Sequence, residues 1–200
     1  MKNAVRIIAG EFRRRKLLTN PGLTTRPITD RVKEILFSRL EHELVDKRVA
    51  DIFSGTGTLG FESLSRGAAG VVFIELDHKA FELLQHNVQM LKVEDRSLCW
   101  RADVFRCSFR PEGVPHLLPF DIVFFDPPYK MASEIKPGLP LYKSLIRLAR
   151  PDVTSAEALM IVRTSEGLEL TVPDVWILEE KATYSTMDIS IFRKSSEPAE

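Results

Sequence analysis

The chain has 200 residues, 28 Lys/Arg against 28 Asp/Glu, a formal net charge of zero and 44% hydrophobic content. This is the size of one domain with enough apolar material for a core. No apolar stretch reaches the length of a membrane span, and the N-terminus lacks a signal peptide's apolar block, so a cytoplasmic protein with no membrane partner is expected.

The zero net charge conceals an asymmetry. Residues 1–33 carry nine Lys/Arg against two acids (+7), and residues 34–200 carry 19 against 26 (−7). Val5 to Leu18 reads as a β-hairpin around Gly10-Glu11, with Val5, Ile7, Phe12, Leu17 and Leu18 available for packing. Its cations Arg6, Arg13, Arg14, Arg15 and Lys16, with Arg26 and Arg31 beyond, form a basic arm over residues 1–27. Such an arm on an acidic body suits a phosphate backbone. Arg-rich segments also coat surfaces that have no partner. Pro21 to Pro27 reads as a loop, and Thr29 or Asp30 can cap a helix carrying Val32, Ile35, Leu36 and Leu40 at helical spacing.

Strands and helices then alternate: Val49–Phe53, helix Leu59–Arg66, Val71–Ile74, helix Lys79–Leu91, Ser97–Ala102, Asp121–Phe125, helix Leu141–Ala149 and Ala158–Arg163. Alternation of this kind predicts a parallel sheet with helices on both faces. Runs such as Ile122-Val-Phe-Phe125 suit strands buried on both sides. Asp174–Leu178 and Met187–Phe192 read as a closing hairpin, which places an antiparallel strand in the sheet. The expected layout is one domain, with a core over 28–194 and a disordered polar tail over 195–200.

Two motifs carry the chemistry. The first is Asp51-Ile-Phe-Ser-Gly-Thr-Gly-Thr-Leu-Gly60, between a predicted strand and a predicted helix. Glycines there let backbone approach a ligand closely. Glu75 ends the next strand, where an acid grips ribose hydroxyls. A nicotinamide dehydrogenase shares these features, but Asp51 would repel a pyrophosphate. S-adenosylmethionine fits better: its ammonium suits Asp51 and the loop carbonyls, its ribose Glu75, and its adenine Asp103 after the third strand. Asp77 is expected to cap the following helix instead.

The second motif is Asp126-Pro127-Pro128-Tyr129, directly after a buried strand. Asp126 and the Pro127 carbonyl can both accept from one exocyclic NH2 group, the prolines hold the turn rigid, and Tyr129 offers a stacking face. An aromatic amine is a poor nucleophile, and an ordinary Asp cannot deprotonate it beforehand. Asp126 and Pro127 would therefore favour a pyramidal nitrogen and stabilise the charge that develops on it. A base stacked in a duplex cannot reach such a pocket and must be looped or flipped out. Cys99 and Cys107 show no metal or disulfide spacing, and His42, His78, His86 and His116 lack ligand partners, so no metal is expected.

On these residues the chain resembles the RsmD family of bacterial 16S rRNA guanine-N2 methyltransferases, within the class I S-adenosylmethionine-dependent superfamily. The matching stretches are Arg6-Ile-Ile-Ala-Gly10, Arg15-Lys-Leu17, Arg26-Pro-Ile-Thr-Asp-Arg-Val32, the glycine motif, Leu64-Ser-Arg-Gly-Ala68 and Phe120-Asp-Ile-Val-Phe-Phe-Asp-Pro-Pro-Tyr129. The chain departs at Ile28, where the family has a small polar residue, and in a longer Met131–Pro140, readable as a lid or as a plain loop. The resemblance implies a Rossmann-like α/β fold: a mostly parallel seven-stranded sheet with an antiparallel C-terminal strand, plus the N-terminal hairpin. It implies a catalytic set of Asp126, Pro127 and Tyr129, and a cofactor set of Asp51, Phe53, Ser54, Gly55, Thr56, Gly57, Glu75, Leu76, Asp103 and Val104. It also implies 16S rRNA within an assembling small ribosomal subunit as partner, with a monomer expected. Two other readings stay open. One is a DNA adenine-amine methyltransferase, although 200 residues leave no room for a target-recognition domain; the other is a non-catalytic nucleic-acid-binding or assembly factor.

Overall fold

A computed structural model describes residues 5–19 and 28–196. Among these, seven strands form one sheet: β1 (Arg48–Ile52), β2 (Gly70–Glu75), β3 (Ser97–Arg101), β4 (Phe120–Phe125), β5 (Thr154–Ser165), β6 (Trp176–Tyr184) and β7 (Met187–Lys194). Their order is β3-β2-β1-β4-β5-β7-β6. The first five run parallel, and β7 lies antiparallel between β5 and β6. This is the expected mixed sheet.

Both faces of the sheet are covered, and the strand sequences show why. Successive side chains point to opposite faces, and nearly all of those in the central strands are apolar. Val49, Val71, Phe73, Ile122 and Phe124 pack beneath α1 (Asp30–Arg39), α3 (Thr58–Ser65) and α4 (His78–Leu91). Ala50, Ile52, Val72, Val123 and Phe125 pack against α6 (Pro140–Leu148) on the other face. Each such side chain, fully buried, contributes about 1.5–3 kcal/mol. The short helices α2 (Glu41–Leu44) and α5 (Tyr129–Ala132) lead into β1 and out of β4.

Local capping follows the sequence. Thr29 caps α1, its Oγ1 accepting from Val32 N (3.3 Å), and Asp77 caps α4, accepting from Ala80 N (2.8 Å). Ile28 is apolar because it is buried in the cluster beneath α1. Met131–Pro140 is anchored through Ala132 and Ile135, both buried. At the C-terminus β6 runs on through Ala182 to Tyr184, so the hairpin is longer than predicted and turns at Ser185, with φ 59°. Ser195 N still donates to Val175 O (2.7 Å); residues 197–200 of the expected tail lie outside the described residues.

The N-terminal β-hairpin is not confirmed. Residues 5–19 turn back on themselves, and Arg6 with Lys16 forms an isolated antiparallel bridge rather than part of two strands. The limbs are joined by Leu17 N to Val5 O (2.9 Å), Ile7 N to Arg15 O (3.0 Å) and Arg14 N to Ile7 O (2.9 Å). At the turn the backbone bonds to α3 instead: Glu62 accepts from Ile8 N (2.9 Å) and Ala9 N (3.2 Å), Ser65 Oγ accepts from Phe12 N (2.9 Å), and Ser65 O accepts from Glu11 N (2.8 Å). Gly10 (φ +77°) sits so close that a Cβ would lie 1.7 Å from Ser65 O.

Candidate active site

The strand order reverses between β1 and β4, which opens a crevice at the carboxyl ends of these strands, where open α/β sheets bind ligands. The glycine motif fills one side of it. Phe53 takes a left-handed turn (φ 60°), and its ring meets Phe125 edge-on at 5.5 Å. Ser54 N donates to Ile74 O (3.1 Å) and Gly57 N to Ser54 O (2.8 Å), closing the loop onto β2. Gly57 (φ +86°) ends the loop against Phe61 and Leu84, which a Cβ would approach within 2.5–2.7 Å. Gly55 (φ +55°) has nothing within 4 Å of where its Cβ would stand. Its backbone faces open space, as a ligand cradle requires. Thr56 is buried, and its carbonyl accepts from Asn87 Nδ2 (3.0 Å).

Asp51 is 2% exposed, and Oδ2 accepts from Gly60 N (2.8 Å) in the first turn of α3. Burial pushes its carboxyl up to about 8. The Gly60 N–H opposes that shift, Asp126 and Glu75 add to it, and Arg163 opposes it. Glu75 ties loop to strand: Oε2 accepts from Gly55 N (2.7 Å), and Oε1 from Leu76 N (2.8 Å) and Asp77 N (2.7 Å). Asp103 accepts from Phe105 N (2.9 Å) just past β3. Leu76, 55% exposed, flanks Glu75. Val104 is turned into the core, its carbonyl accepting from Ser144 Oγ (3.0 Å) and Arg147 Nη2 (2.8 Å).

On the other side of the crevice, Asp126 N donates to Ile52 O (3.2 Å), which joins the end of β4 to the end of β1. The expected juxtaposition of Asp126 with the glycine motif is therefore present. Pro127 is buried, and among the described residues no group donates to its carbonyl. Tyr129 opens α5, its hydroxyl buried. Two buried side-chain polar atoms lack a hydrogen-bond partner among the described residues, Ser54 Oγ and Tyr129 Oη. Both stand in this crevice.

Sequence reasoning missed Arg163. It ends the apolar run of β5, next to Asp126 across the β4–β5 pair, because Phe125 is registered with Val162. Arg163 Nε donates to Asp126 Oδ1 (2.9 Å) and Nη2 to Oδ2 (2.6 Å), with side chains only 11% and 16% exposed. Burial works against the guanidinium's charge, but Asp126 outweighs it and holds Arg163 above its ordinary range. The available signal was one arginine in a strand otherwise reading Leu-Met-Ile-Val. Asn87 was also missed; its helix carries no sequence cue that it holds the glycine loop.

The basic arm lies elsewhere. Arg6, Arg13, Arg14, Arg15, Lys16 and Arg31 are all exposed, and Arg26 lies outside the described residues. Arg6 pairs with Asp30 (2.8 Å), and Arg15 Nη2 donates to Met90 O (3.0 Å). The turn bearing Arg13 and Arg14 rests on Ser65, the last residue of α3, whereas the glycine loop is at that helix's start. One helix length, about 12 Å for eight residues, separates them. That turn and the glycine loop thus lie at opposite ends of α3.

The comparisons agree with this geometry. The family model "Conserved hypothetical protein 95" matches residues 5–193. Ribosomal RNA small subunit methyltransferase D of Haemophilus influenzae is 38% identical over 192 residues, covering 91% of this chain and 90% of its relative. The protein of the same name from Escherichia coli K12 is 34% identical over 199 residues, with 96% and 91% covered. The solved structure of yhhF from Escherichia coli superposes with a TM-score of 0.78 at 31% identity, covering 98% of this chain and 100% of that one. An RNA methyltransferase from Salinibacter ruber, solved with S-adenosyl-L-homocysteine, shares the fold at TM-score 0.61 and 13% identity, with 88% and 97% covered. On sequence, topology and site together, the chain belongs to the conserved hypothetical protein 95 family, the RsmD family of class I methyltransferases.

Proposed function

We propose that this protein transfers a methyl group from S-adenosylmethionine to the exocyclic N2 amine of a guanine in 16S rRNA, acting as a monomer in the cytoplasm on an assembling small ribosomal subunit. The observation that carries this reading is Asp126-Pro127 at the end of β4, beside the glycine motif that follows β1, with no group among the described residues donating to the Pro127 carbonyl. The relatives' names favour rRNA of the small subunit over DNA.

The residues on the far side of the crevice fit the cofactor. Asp51, Glu75 and Asp126 gather at neighbouring strand ends, a set that favours a cationic ligand. Ser54 Oγ awaits a partner, and the space over Gly55 is open. Asp51 would take the ammonium, Glu75 a ribose hydroxyl through its one remaining lone-pair site, on Oε2, and Asp103 the adenine, with Leu76 covering its face. When bound, S-adenosylmethionine supplies an electrophilic methyl on a sulfonium.

The chain's own groups prepare the acceptor. Arg163 occupies two of the four lone-pair sites on Asp126, which leaves one on each oxygen for an N–H donor. Asp126 and the Pro127 carbonyl hold the amine's two protons, so its lone pair turns away from the ring system toward the cofactor side. Asp126 stabilises the positive charge that grows on nitrogen and accepts the proton at Oδ. Fixing the acceptor in line supplies much of the remaining acceleration. Tyr129 stacks on the extruded base, worth about 1–3 kcal/mol. The exposed cations of the arm engage phosphates, those of the Arg13–Arg14 turn at the far end of α3 from the glycine loop.

Labelled-methyl transfer to naked DNA, naked rRNA and small subunits lacking the modification tests this directly, with nucleoside analysis of the product. N2-methylguanosine in rRNA is the expected product. N6-methyladenine in DNA, or no transfer to any substrate, would end the reading.

A further inference from the structure

We propose that Arg163 is the positioning residue of this reaction, turning the Asp126 carboxylate so that only its outward lone pairs meet the amine. The inference rests on the methyl-transfer reading above and adds to it a residue that does not touch the substrate.

Three observations carry it. The two bonds, 2.9 and 2.6 Å, join different nitrogens to different oxygens. A fork of that kind fixes the plane of a carboxylate, whereas a single ammonium would leave it free to rotate. Secondly, Met160, Ile161 and Val162 are all buried, so a cation ending this run is costly unless it is paired. Thirdly, Asp51 of β1 is faced by Asp126, by Glu75 from the end of β2 and by Arg163 from β5, and Arg163 in turn is faced by Asp126, Tyr129 and Asp51. Arg163 is the cation that this set of acids faces among the described residues. It both balances the negative edge and sets the direction from which an N–H can approach, toward the Pro127 carbonyl.

A purely structural ion pair would stabilise the fold and leave the chemistry alone. The test therefore compares Arg163→Gln, Arg163→Lys and Asp126→Asn in the full chain. Methyl transfer to rRNA is followed from pH 6 to 9, with RNA KM, cofactor affinity and thermal melting measured in parallel. In Arg163→Gln the carboxylates keep no balancing cation. Its kcat should fall about 10²-fold, its acid limb should move to higher pH, and KM should stay within about threefold. Arg163→Lys keeps the charge and loses the fork. It should retain the wild-type pH profile with kcat down about tenfold, from misorientation alone.

A wild-type kcat and pH profile in Arg163→Gln overturns the proposal, as does Arg163→Lys behaving like Arg163→Gln. If Arg163→Gln does not fold, Arg163→Lys decides: reduced kcat at unchanged KM supports the role, and unchanged kcat removes it. Asp126→Asn separates the two levels. Wild-type kcat retained there removes Asp126, and Arg163 with it, from the reaction while methyl transfer stands. Loss of kcat there, with an unaltered Arg163→Gln profile, sinks only the positioning role. An absence of methyl transfer by the wild-type chain sinks the assignment itself.

Discussion

Two of the regions where polar groups are buried in this molecule treat them in opposite ways. Where the N-terminal segment lies on α1, α3 and α4, the buried polar side chains are matched. Glu62, wholly buried, accepts from Ile8 N, Ala9 N and Arg66 Nε. Lys33, also wholly buried, donates to Arg6 O and faces Asp30 at 3.4 Å. Asn87 accepts from Leu18 N and donates to Leu18 O and Thr56 O. At the carboxyl ends of β1 and β4 the satisfaction is incomplete: Ser54 and Tyr129 hold unpartnered buried oxygens, and Asp51 is pushed up to about 8 by burial. A buried polar group without a partner costs about 1–3 kcal/mol, so a fold keeps such groups where a ligand completes them. The first region holds the fold together; the second is the candidate site.

That contrast can be broken experimentally, and the largest effect should come at the site. Asp126→Ala should lower kcat by about 10²–10⁴-fold, while cofactor affinity stays within a few-fold by calorimetry. At the matched region the outcome should invert. Gly10→Ala places a Cβ against Ser65 O at a left-handed φ and should cost about 1–3 kcal/mol in urea unfolding, with kcat per folded molecule unchanged. A fall in kcat there would mean that the two regions are not separable.

Asp51 sharpens the comparison through pH. Its folded-state carboxyl lies above the ordinary value of 3.8, at about 8, so the folded protein binds a proton that the unfolded chain has lost. This contribution to stability is present at low pH and is lost as pH rises from about 4 to about 8. The ligand-free Asp51→Asn variant should gain on the wild type across that window, with slopes differing by up to about 1.4 kcal/mol per pH unit. Equal slopes in denaturation series would show Asp51 already ionised. The smallest effect should come from the arm: reversing charge at Arg13, Arg14 and Arg15 should raise RNA KM about tenfold and flatten its salt dependence. An unchanged KM would remove the arm from RNA binding.

The chain by itself determined the layered architecture. Unbroken apolar runs such as Ile122 to Phe125 can only be strands covered on both faces, and the helical spacing between them leaves a parallel sheet as the solution. It also determined the two motifs, because glycines at left-handed turns and consecutive prolines act locally, through φ and sterics. Only tertiary structure decided what depends on residues distant in sequence. Arg163 meets Asp126 because β5 pairs with β4 in one particular register. The backbone at the turn of the N-terminal segment is held by Glu62 and Ser65, over fifty residues away. Glu75, legible as a ribose ligand, was found also to pin Gly55 and the start of α4. Local conformational preference is written residue by residue along the chain, whereas the partner of a buried charge is set by which strands and helices finally lie side by side.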